Sequence, residues 1–439
     1  MRYYSTNKIA PSVGLNDAVI DGLAPDRGLY MPNKIPRLSI EFFENIQNMN
    51  LQEISFAVAD ALFGEDVDAE VLKQIVYETV NFDIPLVKVK DNIYSLELFH
   101  GPTAAFKDVG GRFMARLLGY FVKKSGNKKV TVLVATSGDT GSAVANGFLG
   151  VDGIEVVVLY PKGLVSEIQE KQFTTLGQNI TAVEVDGTFD DCQALVKSAF
   201  MDRELKEKLN LTSANSINVA RFLPQSFYYF HAWAQLKRDG VFKEGKPNSV
   251  VFSVPSGNFG NICGGIFAHW MGLPVKRFIA ANNSNDIFYK YLQTGVYEPR
   301  QSTATIANAM DVGDPSNFVR IMDLYKNSHG AISADISGAS YSDEQISATM
   351  KSLLAQTGYV ADPHGACGYR ALEEQLKSGE TGVFLETAHP SKFKESVERI
   401  TGVAVEIPDR LKVFMERSKI SVPMSREYSA FRSFLESRS

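Results

Sequence analysis

Five runs in this chain, "KKVTVLVATSG", "IEVVVLYPKG", "ITAVEVDG", "NSVVFSVPSGN" and "TGVFLETAHP", each hold four to eight apolar residues and end in a loop rich in Gly, Ser, Thr, Asn or Pro. Short runs rich in β-branched side chains read as strands rather than helices. A strand apolar along its whole length must be covered on both faces, which is the condition of a parallel sheet flanked by helices. Helical patterns separate the runs, so the sequence predicts an α/β, doubly wound fold. In such a fold, ligands sit where the carboxyl ends of strands pass into helix N-termini. The loops that close these runs are therefore the places to look for chemistry.

At 439 residues the chain is longer than one ordinary core supports, which points to two lobes. Up to about Asp91 the texture differs: "SIEFFENIQNMNLQEISFAVADALFG" and "DAEVLKQIVYETVNF" carry apolar residues at helical spacing, and the strand texture sets in from about Lys128. A second boundary falls in the charged, Gly/Pro-punctuated "KRDGVFKEGKPNS". The expected parts are an N-terminal segment 1–91, a smaller α/β lobe 92–240 and a larger one 241–439.

A formal net charge of −5 gives no electrostatic basis for binding nucleic acid or an anionic membrane surface. No stretch approaches the roughly 20 apolar residues that span a bilayer, and the N-terminus lacks the basic patch and apolar run of a signal peptide. A cytoplasmic protein without membrane or nucleic-acid partners is expected. Cys192, Cys263 and Cys367 are far apart and form no C-x-x-C pair, so they read as reduced small hydrophobes. The six histidines show no metal-binding spacing, and no metal site is expected. Apolar helix faces fit core and interface equally, which leaves the oligomeric state open.

Two loops have the form of anion sites. In "ATSGDTGSAVANGF", Thr136, Ser137, Gly138, Asp139 and Thr140 put hydroxyls and backbone N–H groups at a helix start, which suits a carboxylate or phosphate oxygen. Asp139 fits only if it caps the helix or meets a protonated group of the ligand, and a plain capping turn would look the same. In "VPSGNFGNICGGIF", Ser256, Gly257, Asn258, Phe259, Gly260 and Asn261 form a glycine-rich turn without a Walker lysine and without G-x-G-x-x-G. A single small phosphate group suits it better than a nucleoside triphosphate. "SANSINVARFLPQ" offers Ser216, Asn218 and Arg221 for a second anion, or merely a capped helix with one arginine. Pro224 makes that helix start late or kink, and the aromatic run Phe227, Tyr228, Tyr229 and Phe230 reads as core. Thr387, His389 and His364 lie at further strand ends, where a lone histidine is more often a structural hydrogen-bonder than a catalyst. Lys107 stands among small and aromatic residues in "HGPTAAFKDVGGRF", ahead of a helical pattern.

Taken together, "HGPTAAFKDVG", "ATSGDTGSA", "NSINVAR", "SGNFGN", "DPSNF", "DPHGA" and "TAHPSKF" resemble, in order, the pyridoxal-phosphate enzymes of the tryptophan-synthase β type and, within them, the threonine synthase family. "YYSTN" and "DRGLYMP" near the N-terminus fit the same family. The resemblance implies fold type II: two open-sheet lobes with pyridoxal 5'-phosphate in the cleft between them, plus an N-terminal helical segment. It implies that Lys107 forms the Schiff base with the cofactor, that Ser256 to Asn261 hold its phosphate and that the Thr387 hydroxyl meets its ring nitrogen. Thr136 to Thr140 would take the substrate carboxylate, and Ser216, Asn218 and Arg221 the substrate phosphate. The implied reaction is O-phospho-L-homoserine plus water to L-threonine plus phosphate, by γ-elimination and β-addition. Asp139 stands where many fold type II enzymes have Asn, but it suits this branch. Another fold type II lyase, such as a serine/threonine dehydratase, and a catalytically silent relative that binds phosphorylated metabolites remain as alternatives.

Overall fold

The computed structural model describes residues 1–126, 129–242 and 249–438. Lys128, the expected onset of strand texture, and the part of the expected boundary from 243 to 248 lie outside the described residues. Two compact units form, each from separate stretches of chain: Met1–Pro32 with Lys107–Arg221 and Ile407–Ser439, and Asn33–Phe106 with Phe222–Glu406. The expected boundaries at 91/92 and 240/241 both fall inside the second of these. Pairing of Ile93–Glu97 with Thr381–Glu386 accounts for the first, and the bonds of Tyr228 and Tyr229 to Asn261 for the second, while the tail strand Val422–Ser425 joins Ile180–Asp186 in the first unit.

The first unit holds a five-stranded sheet in the order Val422–Ser425, Ile180–Asp186, Ile154–Pro161, Val130–Ala135 and Leu211–Ser213. Every neighbouring pair is parallel. Val130–Ala135 and Ile154–Pro161 are buried almost throughout, as near-continuous apolar strands should be. The motifs "YYSTN" and "DRGLYMP" pair with each other in this unit, Tyr3 opposite Pro32 and Ser5 opposite Tyr30.

The second unit holds a six-stranded sheet in the order Ile336–Ser340, Arg277–Asn282, Val250–Pro255, Thr381–Glu386, Ile93–Glu97 and Leu86–Lys90. All pairs are parallel except the last, where Leu86 lies opposite Leu96 in an antiparallel edge. Its helices include two in the N-terminal segment, Leu51–Phe63 and Ala69–Thr79. The long apolar pattern before Gly64 is three elements rather than one. Asn50 breaks it by capping Leu51–Phe63 in a reciprocal box with Glu53, which satisfies N–H groups that a continuous helix would bond internally. Pro224 has the expected effect: Val219–Phe222 is followed by the 3₁₀ turn Leu223–Ser226 and only then by the helix Phe227–Arg238.

Because the paired strands run parallel, the loops at their carboxyl ends leave each sheet on one edge. Val130–Ala135 and Leu211–Ser213 are neighbours, so the loops beginning at Thr136 and Ala214 emerge side by side. In the other sheet Val250–Pro255 and Thr381–Glu386 are neighbours, which does the same for Ser256 and Thr387.

Candidate active site

Lys107 is the first residue of the 18-residue helix Lys107–Lys124. Glycines let that helix approach two other candidate segments closely. A β-carbon at Gly110 would lie 2.3 Å from the Arg221 carbonyl oxygen, and one at Gly111 would lie 2.9 Å from that of Ala143. One at Gly147 would lie 2.9 Å from the Gly111 carbonyl oxygen. Ala143 and Gly147 belong to the helix Asp139–Phe148, which follows the Thr136 loop. The first unit thus locks the lysine helix, the "TSGDTG" helix and the Arg221 turn into one block.

Within the "TSGDTG" loop the Thr136 hydroxyl accepts the N–H groups of Gly138 and Gly141 at 2.9 and 2.8 Å, folding the turn on itself. Gly138, at φ 144°, is the N-cap, and Asp139 is the first helical residue rather than the cap. Its nearly buried carboxylate accepts the Gln169 amide at 2.8 Å. A side chain at Gly138 would collide with that same amide, a β-carbon falling 2.5 Å from it. Ser137 and Thr140 keep partial exposure. Asn215 donates to the Ala135 carbonyl at 3.4 Å and so joins this loop to the next.

In that next turn Ser216 is partly exposed, whereas Asn218 is fully buried. The Asn218 amide donates to the carbonyls of Val19 and Ser213 and accepts the Ala220 N–H. Arg221 is 2 % exposed, donates to the Ala214 carbonyl at 2.8 Å and is drawn by the carboxylate of Asp108, one residue after Lys107. Asn218 shapes the turn through backbone bonds, and Arg221 stands in it as a buried cation.

In the "SGNFGN" loop of the second unit the Ser256 N–H donates to the Ala281 carbonyl at 2.9 Å, whereas the N–H groups of Gly257 to Asn261 make no backbone bond among the described residues. The Ser256 hydroxyl turns back to the Val254 carbonyl at 2.8 Å, and the Asn258 side chain accepts from Ser316. The Asn258 carbonyl accepts from Asn317 through backbone and side chain, so the "DPSNF" segment braces the loop from behind. Phe259 adopts the left-handed conformation at φ 63°, at a cost of about 1 kcal/mol or more. Its buried ring packs on Phe288 with centroids 4.7 Å apart. The helix Gly260–Trp270 makes its first internal bond from the Cys263 N–H to the Phe259 carbonyl, so the N–H groups of Gly260, Asn261 and Ile262 precede it. Tyr228 and Tyr229 both donate to Asn261 Oδ1, at 2.7 and 2.8 Å. That leaves Asn261 Nδ2 as a buried donor with no partner among the described residues. No acidic residue lies in the first turn of this helix. Backbone amides, a helix N-terminus and a buried unpaired donor fit a phosphate dianion.

Thr387 directly follows the strand Thr381–Glu386 beside this loop and is 6 % exposed. Its carbonyl accepts the Phe106 N–H at 2.9 Å, and the Ala104 carbonyl accepts the His389 N–H at 3.0 Å. Those bonds pin the chain immediately before Lys107 to the Thr387 strand end. Ala104 takes φ 55° in this crossing, a left-handed conformation uncommon for a residue with a β-carbon. Glu386 is fully buried; desolvation, then Asp362 and Glu97, push its carboxyl well above the ordinary carboxylate range. Burial thereby disfavours the charged form of the carboxyl next to Thr387. His389 Nδ1 accepts the Ser391 N–H at 3.1 Å and caps the turn Pro390–Phe393, a structural role. The three cysteines are buried and free; burial pushes the Cys192 and Cys263 thiols up to about 12 and Cys367 in the same direction. Among the described residues no group of three or more His, Cys, Asp or Glu could hold a metal ion, and no helix is long and apolar enough to cross a membrane.

The sequence placed the loops but missed their supports: Gln169 on Asp139, Tyr228 and Tyr229 on Asn261, and the backbone contact of Gly110 with Arg221. None of these lies near its partner in the chain, so no local pattern announces them. The doubled glycine of "KDVGGRF" was the one visible sign of close packing.

Comparison with known proteins points the same way. Residues 82–387 match the pyridoxal-phosphate dependent enzyme profile, residues 2–80 the threonine synthase N terminus and residues 365–435 the threonine synthase C-terminal profile. The chain is 45% identical over 435 residues to threonine synthase of Haemophilus influenzae, covering 99% of each. It superposes on the crystal structure of threonine synthase from Escherichia coli with a TM-score of 0.92 at 42% identity, covering all of both chains. The PLP-bound threonine synthase from Brucella melitensis gives a TM-score of 0.92 at 34% identity, covering 100% of this chain and 99% of that one. Chain-wide identity and the loops described above together establish that the chain belongs to the threonine synthase family of pyridoxal-phosphate dependent enzymes.

Proposed function

We propose that this chain converts O-phospho-L-homoserine and water to L-threonine and phosphate, and that it does so in the cytoplasm. The observation that carries the residue assignments is the contrast between a loop of open amides, Gly257 to Asn261, and a loop carrying a carboxylate, Thr136 to Thr140. Pyridoxal phosphate, when bound, supplies a conjugated ring that delocalises the charge developing beside the amino-bearing carbon. Lys107 would hold it through the ε-nitrogen, Gly257, Asn258, Phe259, Gly260 and Asn261 would hold its phosphate, and Ser256 would set the loop's course. The Thr387 hydroxyl would meet the ring nitrogen, and burial that disfavours the charged form of Glu386 beside it is compatible with a nitrogen that carries no proton.

The free ε-amine of Lys107 is the base for the proton on the substrate α-carbon and the carrier of protons at the β- and γ-carbons. Thr136, Ser137, Gly138 and Thr140 would orient the substrate carboxylate, with Asp139 facing its ammonium group. Ser216 and Arg221 would take the substrate phosphate, where a buried guanidinium offers a charge-assisted grip. Asn218 serves that turn by holding its backbone.

The test is to incubate purified protein with pyridoxal phosphate and O-phosphohomoserine and to assay phosphate and threonine together. Equimolar release is expected. Phosphate appearing with 2-oxobutyrate would move the reading to a dehydratase, and no turnover with a bound cofactor would move it to a silent relative.

A further inference from the structure

The phosphate loop does not stand alone. A β-carbon at Gly257 would lie 2.8 Å from the Ala309 carbonyl oxygen and 3.1 Å from Met310 Cα, so the 3₁₀ turn Asn308–Met310 forms the wall against which the loop is laid. The segment leading into that turn is tied down by Asp311, whose carboxylate accepts from Asn283, Asn285 and both the hydroxyl and the N–H of Thr305. The middle of the turn is tied by one side chain. His364 Nε2 accepts the Ala309 N–H at 3.2 Å, and His364 Nδ1 lies 2.9 Å from Asp362 Oδ2. An Nε2 that accepts an N–H carries no proton, so the ring proton sits on Nδ1 and points at Asp362. Asp362 is itself fixed, its other oxygen accepting the Gly365 N–H at 2.6 Å and its own N–H donating to Glu386 at 2.7 Å. His364 is 2 % exposed and Asp362 fully buried, so no solvent competes for these bonds.

We propose that His364, with its tautomer set by Asp362, is a positioning residue for the cofactor phosphate: it fixes the Ala309 turn and thereby the course of the loop at Gly257. This rests on the reading that Gly257 to Asn261 hold that phosphate. The pair acts on binding of the phosphate and leaves the bond to Lys107 untouched.

Two variants separate the acceptor from the rest of the side chain. In His364→Gln the amide oxygen can occupy the place of Nε2 and still accept the Ala309 N–H. In His364→Asn the amide can still donate to Asp362 but cannot reach Ala309. Asp362→Asn provides a third arm: it keeps an oxygen for the Gly365 N–H but turns an amide donor toward His364 Nδ1, which drives the ring proton to Nε2, against the Ala309 N–H. Each full-length protein, freed of cofactor, is titrated by absorbance with pyridoxal 5'-phosphate and, separately, with pyridoxal; thermal unfolding of the cofactor-free protein monitors folding.

The expected result is that wild type prefers the phosphorylated form. His364→Asn and Asp362→Asn should then bind it about tenfold more weakly, the scale of one hydrogen bond, with pyridoxal affinity unchanged. His364→Gln should stay within about threefold of wild type. If wild type does not discriminate between the two compounds, the phosphate-loop reading itself fails. If wild type discriminates but the Asn and Gln variants of His364 bind alike, the loop reading stands and the role of His364 is overturned. Should His364→Asn not fold, Asp362→Asn carries the same comparison, and wild-type affinity in it overturns the proposal.

Discussion

Two glycine-rich turns in this protein share one plan, an apolar strand running into a helix through a few small residues, and differ in what the turn does with its own polar groups. At Thr136 to Asp139 the loop consumes them internally: Thr136 takes two backbone N–H groups and a carboxylate sits in the first helical turn. At Ser256 to Asn261 the side chains of Ser256, Asn258 and Asn261 bond Val254, Ser316 and the two tyrosines, and the N–H groups from Gly257 to Asn261 make no backbone bond among the described residues. A carboxylate at a helix N-terminus already answers the helix dipole, whereas a bare N-terminus leaves it for a ligand. Strand–glycine–helix is thus a scaffold, and the partners of a few short side chains set the two turns apart in the roles proposed for them, an amino acid at one and a phosphate at the other.

The largest effect tests what both turns are proposed to serve. Lys107→Ala should lower turnover by at least about 10³-fold and abolish the visible absorption of the reconstituted protein, with both turns intact. Near-normal turnover would leave the two turns without a common reaction. Next, Gly257→Ala places a methyl against the Ala309 carbonyl and should weaken cofactor binding about 30-fold, the lower-to-middle range for overpacking. Asp139→Asn, in the other turn, should leave cofactor affinity alone and raise KM for the substrate about tenfold, as loss of one charge-assisted contact does. If both variants moved the same constant, the division of labour between the turns would collapse. The smallest effect concerns the support of the open turn. Tyr229→Phe removes one of two donors from Asn261 and should cost about 1 kcal/mol in a denaturant titration; no change would show that Tyr228 alone suffices.

What could be read from the sequence followed one physical rule. Val130–Ala135, Ile154–Pro161 and Val250–Pro255 were visible because a strand buried on both faces must be apolar throughout. Leu211–Ser213 is three residues long, Ile336–Ser340 contains Gly and Ser, and Leu86–Lys90 is a half-exposed edge, so none carries that mark. The candidate loops were legible for a related reason: glycine and hydroxyl residues at a strand end announce a tight turn. Their supports were not. Gln169 reaches Asp139 across thirty residues and Ala309 reaches His364 across fifty-five, distances at which a single sequence holds no periodicity to read. Asp139 shows the intermediate case. Its presence in the turn was evident, but whether it capped the helix or opened it depended on one backbone step at Gly138.

The contacts of Gly110, Gly111 and Gly147 bear on how this protein tolerates change. Each meets backbone, which gives way less readily than a side chain, so even alanine forces a backbone shift at all three, most of all at Gly110. In a library of random single substitutions these positions would read as intolerant as Lys107, although they have no side chain with which to touch a ligand. A map of tolerance drawn from such a library would trace a strip of backbone running from the lysine helix to Arg221 and to the helix after Thr136. Substitution there costs a backbone shift, while the helix's exposed Lys123 and Lys124 meet no such limit.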